Sequence, residues 1–126
     1  MTVVETRKQT KTVTLVDNVA LTVPASGTVT VNSDYIKWDD FDSVILFVTL
    51  GTETATATFD AKFQYKDSNG NYYDIASGGI TQMTAAGSQQ LLISKLYGNG
   101  GRVVYVYGDA EGDAFAGVTL EAVFKS

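Results

Sequence analysis

Residues able to bind or transform something are few in this chain, and the densest run of them is YKDSNGNYYDI, from Tyr65 to Ile75. Asp67, Asn69 and Asn71 alternate as oxygen ligands do in a calcium loop, yet Asn69-Gly70 is also the dipeptide that reverses a chain between two strands. A helix-flanked calcium loop needs ligands at its first, third and fifth positions, glycine at the sixth and a bidentate glutamate at the twelfth. Counted from Asp67, those last two places fall on Tyr72 and Gly78, and both flanks read as strands. The segment is therefore expected to be a hairpin with a type I′ turn at Asn69-Gly70, pairing KFQYK with NYYDI.

Two other acidic groups are short of ligands in the same way. GDAEGDAFAG brings Asp109, Glu111 and Asp113 together between two strong strands, and Asp39, Asp40 and Asp42 lie beside Trp38. Hard cations take such oxygens, but with no second source of ligands both groups are read as solvated loops. The chain has no histidine, which removes a Ser-His-Asp relay and histidine-ligated zinc, and no cysteine, which removes disulfides, thiol nucleophiles and thiolate metal sites. YGNGGR (Tyr97 to Arg102) lacks the lysine and the following helix of a phosphate loop and reads as a turn. No acid stands alone in an apolar run, as a proton donor with a raised pKa would. No enzyme activity, metal or cofactor is expected.

The elements that must position these residues are strands. In TATATFDAKFQYK, Ala55, Ala57, Phe59, Ala61, Phe63 and Tyr65 alternate with polar residues from Thr54 to Lys66, the signature of one long strand with a wet face. Thr12 to Val16, Thr28 to Asn32, Arg102 to Tyr107, Val118 to Lys125 and the shorter Gln89 to Ser94 repeat the signal. Ser43 to Leu50, SVILFVTL, is apolar almost throughout. It fits a central strand covered on both faces, or one whose outer face meets a neighbour. SDYIKWDDF could make one helical turn capped by Ser33 or Asp34, and no longer helical pattern occurs. The expected fold is an all-β, antiparallel two-sheet sandwich of about eight strands with little or no helix. A jelly roll is favoured, with an immunoglobulin-like arrangement as its nearest rival.

At 126 residues, 44% hydrophobic and 18% charged, the chain fits one folded domain with a single core. Residues 13–126 are assigned to it and residues 1–12 to an N-terminal arm. Fourteen acidic against nine basic residues give a net charge of −5, which argues against a nucleic-acid partner. No apolar run approaches the length needed to cross a bilayer, and MTVVETRKQTKT lacks the apolar core of a secretion signal. The chain is expected to be soluble, with no membrane partner, and made inside a cell.

DDFDSVILFVTLG, ATFDAKFQYKDSNGNYYDI, ITQMTAAGSQQ and GRVVYVYGDAEGDAFAGVTLEAVFKS together resemble small β-sandwich proteins encoded among the structural genes of tailed bacteriophages. The resemblance lies mainly in the aromatic hairpin and the closing strands, over residues 39–126, about two-thirds of the chain. It implies a capsid decoration, or cement, protein: a jelly roll made in the host cytoplasm that sits on the outside of the virion head and bridges subunits of the major capsid protein, often as a trimer. On that reading the arm, with Thr2, Val3, Val4, Arg7, Lys8 and Lys11, could add a strand to a neighbour's open sheet edge. Trp38, Tyr72 and Tyr97 lie near turns where they could meet a partner or stack on a sugar. The hairpin phrase also resembles carbohydrate-binding modules and discoidin-like domains, which supply a rival reading. A tail or baseplate accessory protein of the same fold is a third.

Overall fold

A computed structural model describes residues 9–25 and 27–126, and all of its regular structure is β. The strands are β1 (Thr10–Thr22), β2 (Gly27–Asn32), β3 (Ile36–Lys37), β4 (Ser43–Leu50), β5 (Thr52–Thr54), β6 (Thr58–Lys66), β7 (Tyr72–Gly79), β8 (Gly87–Ile93), β9 (Gly100–Asp109) and β10 (Ala114–Lys125). Sheet A runs β1-β10-β4-β8 with β5 also on β10, and sheet B runs β2-β9-β6-β7 with β3 also on β9; every pairing is antiparallel.

Ten strands stand where about eight were expected, because two strand positions are interrupted. β2 and β3 share one side of β9, and β4 and β5 share one side of β10. Between β4 and β5, Gly51 donates its N–H to the Ala116 carbonyl at 2.8 Å. A Cβ at Gly51 would stand 2.7 Å from that oxygen, so only glycine lets the two backbones come this close. Merging the interrupted strands leaves a nested set of pairs, β1 with β10, β2/β3 with β9, β4/β5 with β8 and β6 with β7. That nesting is one long hairpin rolled into two sheets, the jelly-roll arrangement, and its tip is the turn at Asp67–Asn71.

The run Thr54 to Lys66 is not the single strand its alternation predicts. β5 belongs to sheet A and β6 to sheet B, and the chain crosses between them at Ala55, which takes a φ of +62° and is exposed. An inward-outward alternation keeps its period across such a corner, so period alone does not mark the change of sheet. From Ala57 onward the expected inward set holds, with Ala57, Phe59, Ala61 and Phe63 buried. The helical turn expected near Trp38 is instead β3 followed by a tight turn in which Phe41 N–H donates to the Trp38 carbonyl at 2.9 Å. β1 begins at Thr10, so Thr10, Lys11 and Thr12 pair with Lys125, Phe124 and Val123 and are not part of a free arm.

Between the sheets, aromatic rings fill the core in two groups. Trp38 stacks on Phe124 at 5.8 Å and meets Phe63 and Tyr65 edge-on at 6.3 and 6.1 Å, while Phe59 contacts Tyr105 and Phe115 at 6.1 Å each. Replacing Trp38 by Ala should cost about 3–5 kcal/mol, which in a domain of this size lowers Tm by roughly 10–20 °C. Trp38→Phe should cost clearly less. Thermal unfolding followed by circular dichroism measures both, and equal losses would place the effect in the indole hydrogen bond instead of the ring packing.

Candidate functional site: two outer faces and an edge groove

The turn that opened the metal question is held by its own aspartate. Asp67 Oδ1 accepts the backbone N–H of Asn69 at 2.9 Å and of Asn71 at 2.8 Å, and Oδ2 accepts from the Asn71 amide at 3.3 Å and the Tyr73 hydroxyl at 3.2 Å. Both oxygens are thus engaged within the loop. The reversal is not type I′: Gly70 alone takes a positive φ, +89°, and its N–H donates to the Asp67 carbonyl. Ser68-Asn69 form the centre of the turn and Gly70 is the left-handed residue after it. The Asn71 and Asn69 amides, the Asn71 backbone N–H first, hold the Asp67 carboxyl below its ordinary pKa. Among the described residues no three carboxylates, histidines or cysteines come together as a metal cluster would.

Asp113, expected on a solvated loop, is 2% exposed and organises one end of the sandwich. Its Oδ2 accepts N–H bonds from Ala110 at 2.9 Å and Asp109 at 3.0 Å and the Thr56 hydroxyl at 3.2 Å. Its backbone carbonyl accepts from Val23, whose own carbonyl takes the Gly112 N–H, both at 2.9 Å. One carboxylate therefore joins the β9-β10 turn to the β5-β6 crossover, while its main chain joins both to the end of β1. The signal available was its place immediately after the turn glycine Gly112, where a side chain can reach back to turn amides.

Of the residues proposed for partner binding, Thr2, Val3, Val4, Arg7 and Lys8 lie outside the described residues. Lys11 sits in β1 and donates Nζ to the Lys37 carbonyl at 3.0 Å. Trp38 is not available to stack on a sugar, because it is 1% exposed and its Nε1 donates to the Tyr97 carbonyl at 3.1 Å. Its neighbour Gly101 leaves the ring its room: a Cβ there would overlap the Gln64 carbonyl and stand 2.7 Å from the indole. Tyr72 is half-buried on the outer face of sheet B, with the Arg102 guanidinium 3.7 Å above its ring.

Tyr97 is 59% exposed and does line a groove, of about 290 Å³, where edge strands β7 and β8 adjoin. Tyr65, Ile75, Leu92 and Lys95 line it too; Tyr65 meets Tyr97 edge-on at 6.4 Å and Lys95 Nζ lies 5.3 Å from the Tyr97 ring. The wall on the β7 side is an irregular bulge in which Ser77 holds a φ of +56°, a conformation that costs a non-glycine residue energy.

The outer faces of the two sheets differ. On sheet B, Arg102 donates to Gln64 at 2.8 Å, Gln64 to Asp74 at 2.8 Å, Lys62 pairs with Asp74 at 3.0 Å, and Gln82 donates to Asp60 at 2.8 Å. The Gln64 amide, then Lys62, lowers the Asp74 pKa. On sheet A, registers through β10, β4 and β8 align Val123, Ile45 and Leu92 in a row, with Phe47 in the next. Leu92 is 61% and Phe47 40% exposed. SVILFVTL is thus apolar because its inner residues Val44, Leu46, Val48 and Leu50 fill the core, while its outer ones Ile45 and Phe47 lie on a face that no other described strand covers.

These elements define an all-β jelly-roll domain with one apolar outer face, one polar outer face and no cluster of metal-ligating side chains among the described residues. In fold the chain is similar to VP2 of infectious bursal disease virus in its subviral particle, with a TM-score of 0.67 and 14% identity over 94% of this chain and 33% of that one. It is likewise similar to a chain from the Gx strain of that virus, with a TM-score of 0.64 and 14% identity over 94% and 32%. YomS, a protein derived from the SPBc2 prophage, superposes with a TM-score of 0.57 and 14% identity over 99% of this chain and 100% of that one. The chain spans about a third of the viral chains and the whole of the prophage protein. No protein-family model matches the sequence, and no curated protein does. At this identity the likenesses bear on fold alone.

Asp67, Asp74 and Asp113 all have pKa values below their ordinary 3.8 in the folded state; for Asp113 the Ala110 amide is the first cause, then that of Asp109. A depressed carboxyl stabilises the fold above its unfolded pKa and loses that contribution as pH falls through the folded value. The urea midpoint should therefore be flat with respect to these groups near neutrality and fall below about pH 4. Asp113→Ala should lower the midpoint at pH 7 and flatten the acid decline. A decline as steep as in the wild type would show that Asp113 does not contribute to it.

Proposed function

We propose that the chain is a non-enzymatic structural protein of a phage particle, a decoration protein that binds the outer surface of the head and bridges subunits of the major capsid protein. The observation that supports this reading is the likeness in fold to VP2 and to prophage YomS, joined to a surface of exposed apolar and aromatic side chains suited to contact. The mechanism is mechanical. Each copy touches two or more shell subunits, and the area buried there, about 1,200–2,000 Å² for a specific contact, adds to the free energy needed to part them. The Tyr97 groove supplies one such contact, since tyrosine offers a large, stiff, amphipathic area, and copies of the chain associate with one another on the shell.

The carbohydrate-binding reading is weakened by the burial of Trp38 and by Arg102 over the Tyr72 ring, which leave Tyr97 as the one of these three aromatics open to stacking. Purified protein mixed with heads and tails of the phage that encodes it should co-sediment with the heads, and Tyr97→Ala should weaken binding about tenfold or more. Removal of residues 2–8 should weaken it as well if the arm adds a strand to a neighbour; unchanged affinity rules the arm out. Binding to tails alone would move the protein to the tail or baseplate. Retention on a glycan array with no binding to either particle would overturn the structural reading.

A further inference from the structure

The row Val123–Ile45–Leu92 crosses sheet A from β10 to β8, and the charges nearest to it on β10 stand in the rows on either side. One flanking row holds Lys125 and Ser43, the other Glu121, Phe47 and Gln90. Lys125 and Glu121 therefore stand on the same strand, two residues to either side of Val123, each roughly 7 Å from it. Neither forms an ion pair among the described residues. Thr10, Thr12 and Thr14 of β1 extend these three rows with short uncharged side chains.

We infer that this face is a two-fold contact with a second copy of the chain. A two-fold axis lying in the contact plane along the row Val123–Ile45–Leu92 reverses the strand direction, sets each of these residues opposite its own copy and exchanges the two flanking rows. Lys125 of each copy then faces Glu121 of the other, twice over, and the apolar row is covered without burying an unpaired charge. Such a contact is isologous and closed, and two sheets of this kind pack about 10 Å apart with strands nearly aligned. Sheet B offers no equivalent, because the charged side chains of Lys62, Asp74 and Arg102 on its outer face are already engaged with one another or with Gln64.

Four strands at about 4.8 Å spacing and three rows at about 7 Å give a face of roughly 400 Å² per copy, half of what a standard interface takes from each partner. The dimer is accordingly concentration-dependent and weak in dilute solution, and a crowded particle surface favours it. The trimer implied by the phage resemblance would need a different, heterologous surface. The contact stands independently of shell binding.

Sedimentation velocity of the full chain from micromolar to millimolar loading should show the mass rising from one chain to two. Ile45→Lys puts like charges face to face on the axis and should abolish the dimer while leaving the thermal midpoint within a few degrees of wild type. Glu121→Lys should weaken the dimer about tenfold or more, and adding Lys125→Glu to it should restore the affinity, because the exchanged charges again face each other. If Ile45→Lys does not fold, the charge exchange alone decides. A chain that stays monomeric throughout, a mass of three chains, or a double variant no tighter than Glu121→Lys would overturn the two-fold contact. Head binding in the co-sedimentation assay would survive any of those results.

Discussion

The indole of Trp38 is the constraint on which the sandwich depends. It is the largest side chain in the core, and it reaches it from a short connection between the sheets instead of from the middle of a strand. Covering roughly 200 Å² of ring at about 25 cal/mol per Å² contributes on the order of 5 kcal/mol, comparable to the whole net stability of a small domain. The ring has room because the second residue of β9 is Gly101, where a Cβ would stand 2.7 Å from it. Its own backbone N–H then donates to the Asn99 carbonyl at 2.9 Å while its Nε1 donates to that of Tyr97. A feature of sequence that resembles a phosphate-binding loop is thus a seat for a tryptophan.

The two ends of the sandwich are closed by different physics. At the Trp38 end the connections are held by ring stacking, with Phe41 at 6.0 Å from Phe124 and Phe124 against both Trp38 and Phe63. At the far end a single buried carboxylate, Asp113, collects donors from two separate connections. A jelly roll has many crossovers between sheets, and each must be fixed by something other than the ladders. Aromatic packing does this where the crossovers lie over the core, and charge-assisted hydrogen bonds do it where they lie at the rim.

Alternation of side chains made the strands and their inward faces legible, as β6 and β10 show: Phe59 and Phe63 on one, Leu120, Ala122 and Phe124 on the other, are all buried. What alternation does not carry is the identity of the sheet, so the crossover at Ala55 leaves no mark in it: Thr54 reads as the start of the β6 strand, and β3 reads as part of a helical turn. The place of the Asp67–Asn71 reversal was readable from Asn69-Gly70, but its type was not, because the Asp67 side chain captures the amides of Asn69 and Asn71 and shifts the turn one residue towards the N-terminus. Trp38 was misplaced for a similar reason. Its neighbours Lys37, Asp39 and Asp40 are polar, and Gly101, which leaves it room, lies some sixty residues further on.

The two outer faces then account for what the domain offers to other molecules. An antiparallel sheet with one face in water ordinarily carries polar side chains there, and sheet B does so with a connected set of hydrogen bonds that would have to be broken before anything could dock. Sheet A carries Ile45, Phe47, Leu92 and Val123 at the positions where threonine or glutamine would serve solubility better. Leu92 also borders the Tyr97 groove, so the apolar surface runs from the face of sheet A around its edge strand to the aromatic pair. β8 itself has no charged residue, no proline and no register shift along its seven pairings with β4, whereas β1 is interrupted three times. Irregular edges resist further strand addition and regular ones invite it. Among the described residues, the side of the molecule bounded by β8 therefore combines an unpaired strand edge, an apolar face and the exposed Tyr97, and so is the side best suited to contact with another molecule.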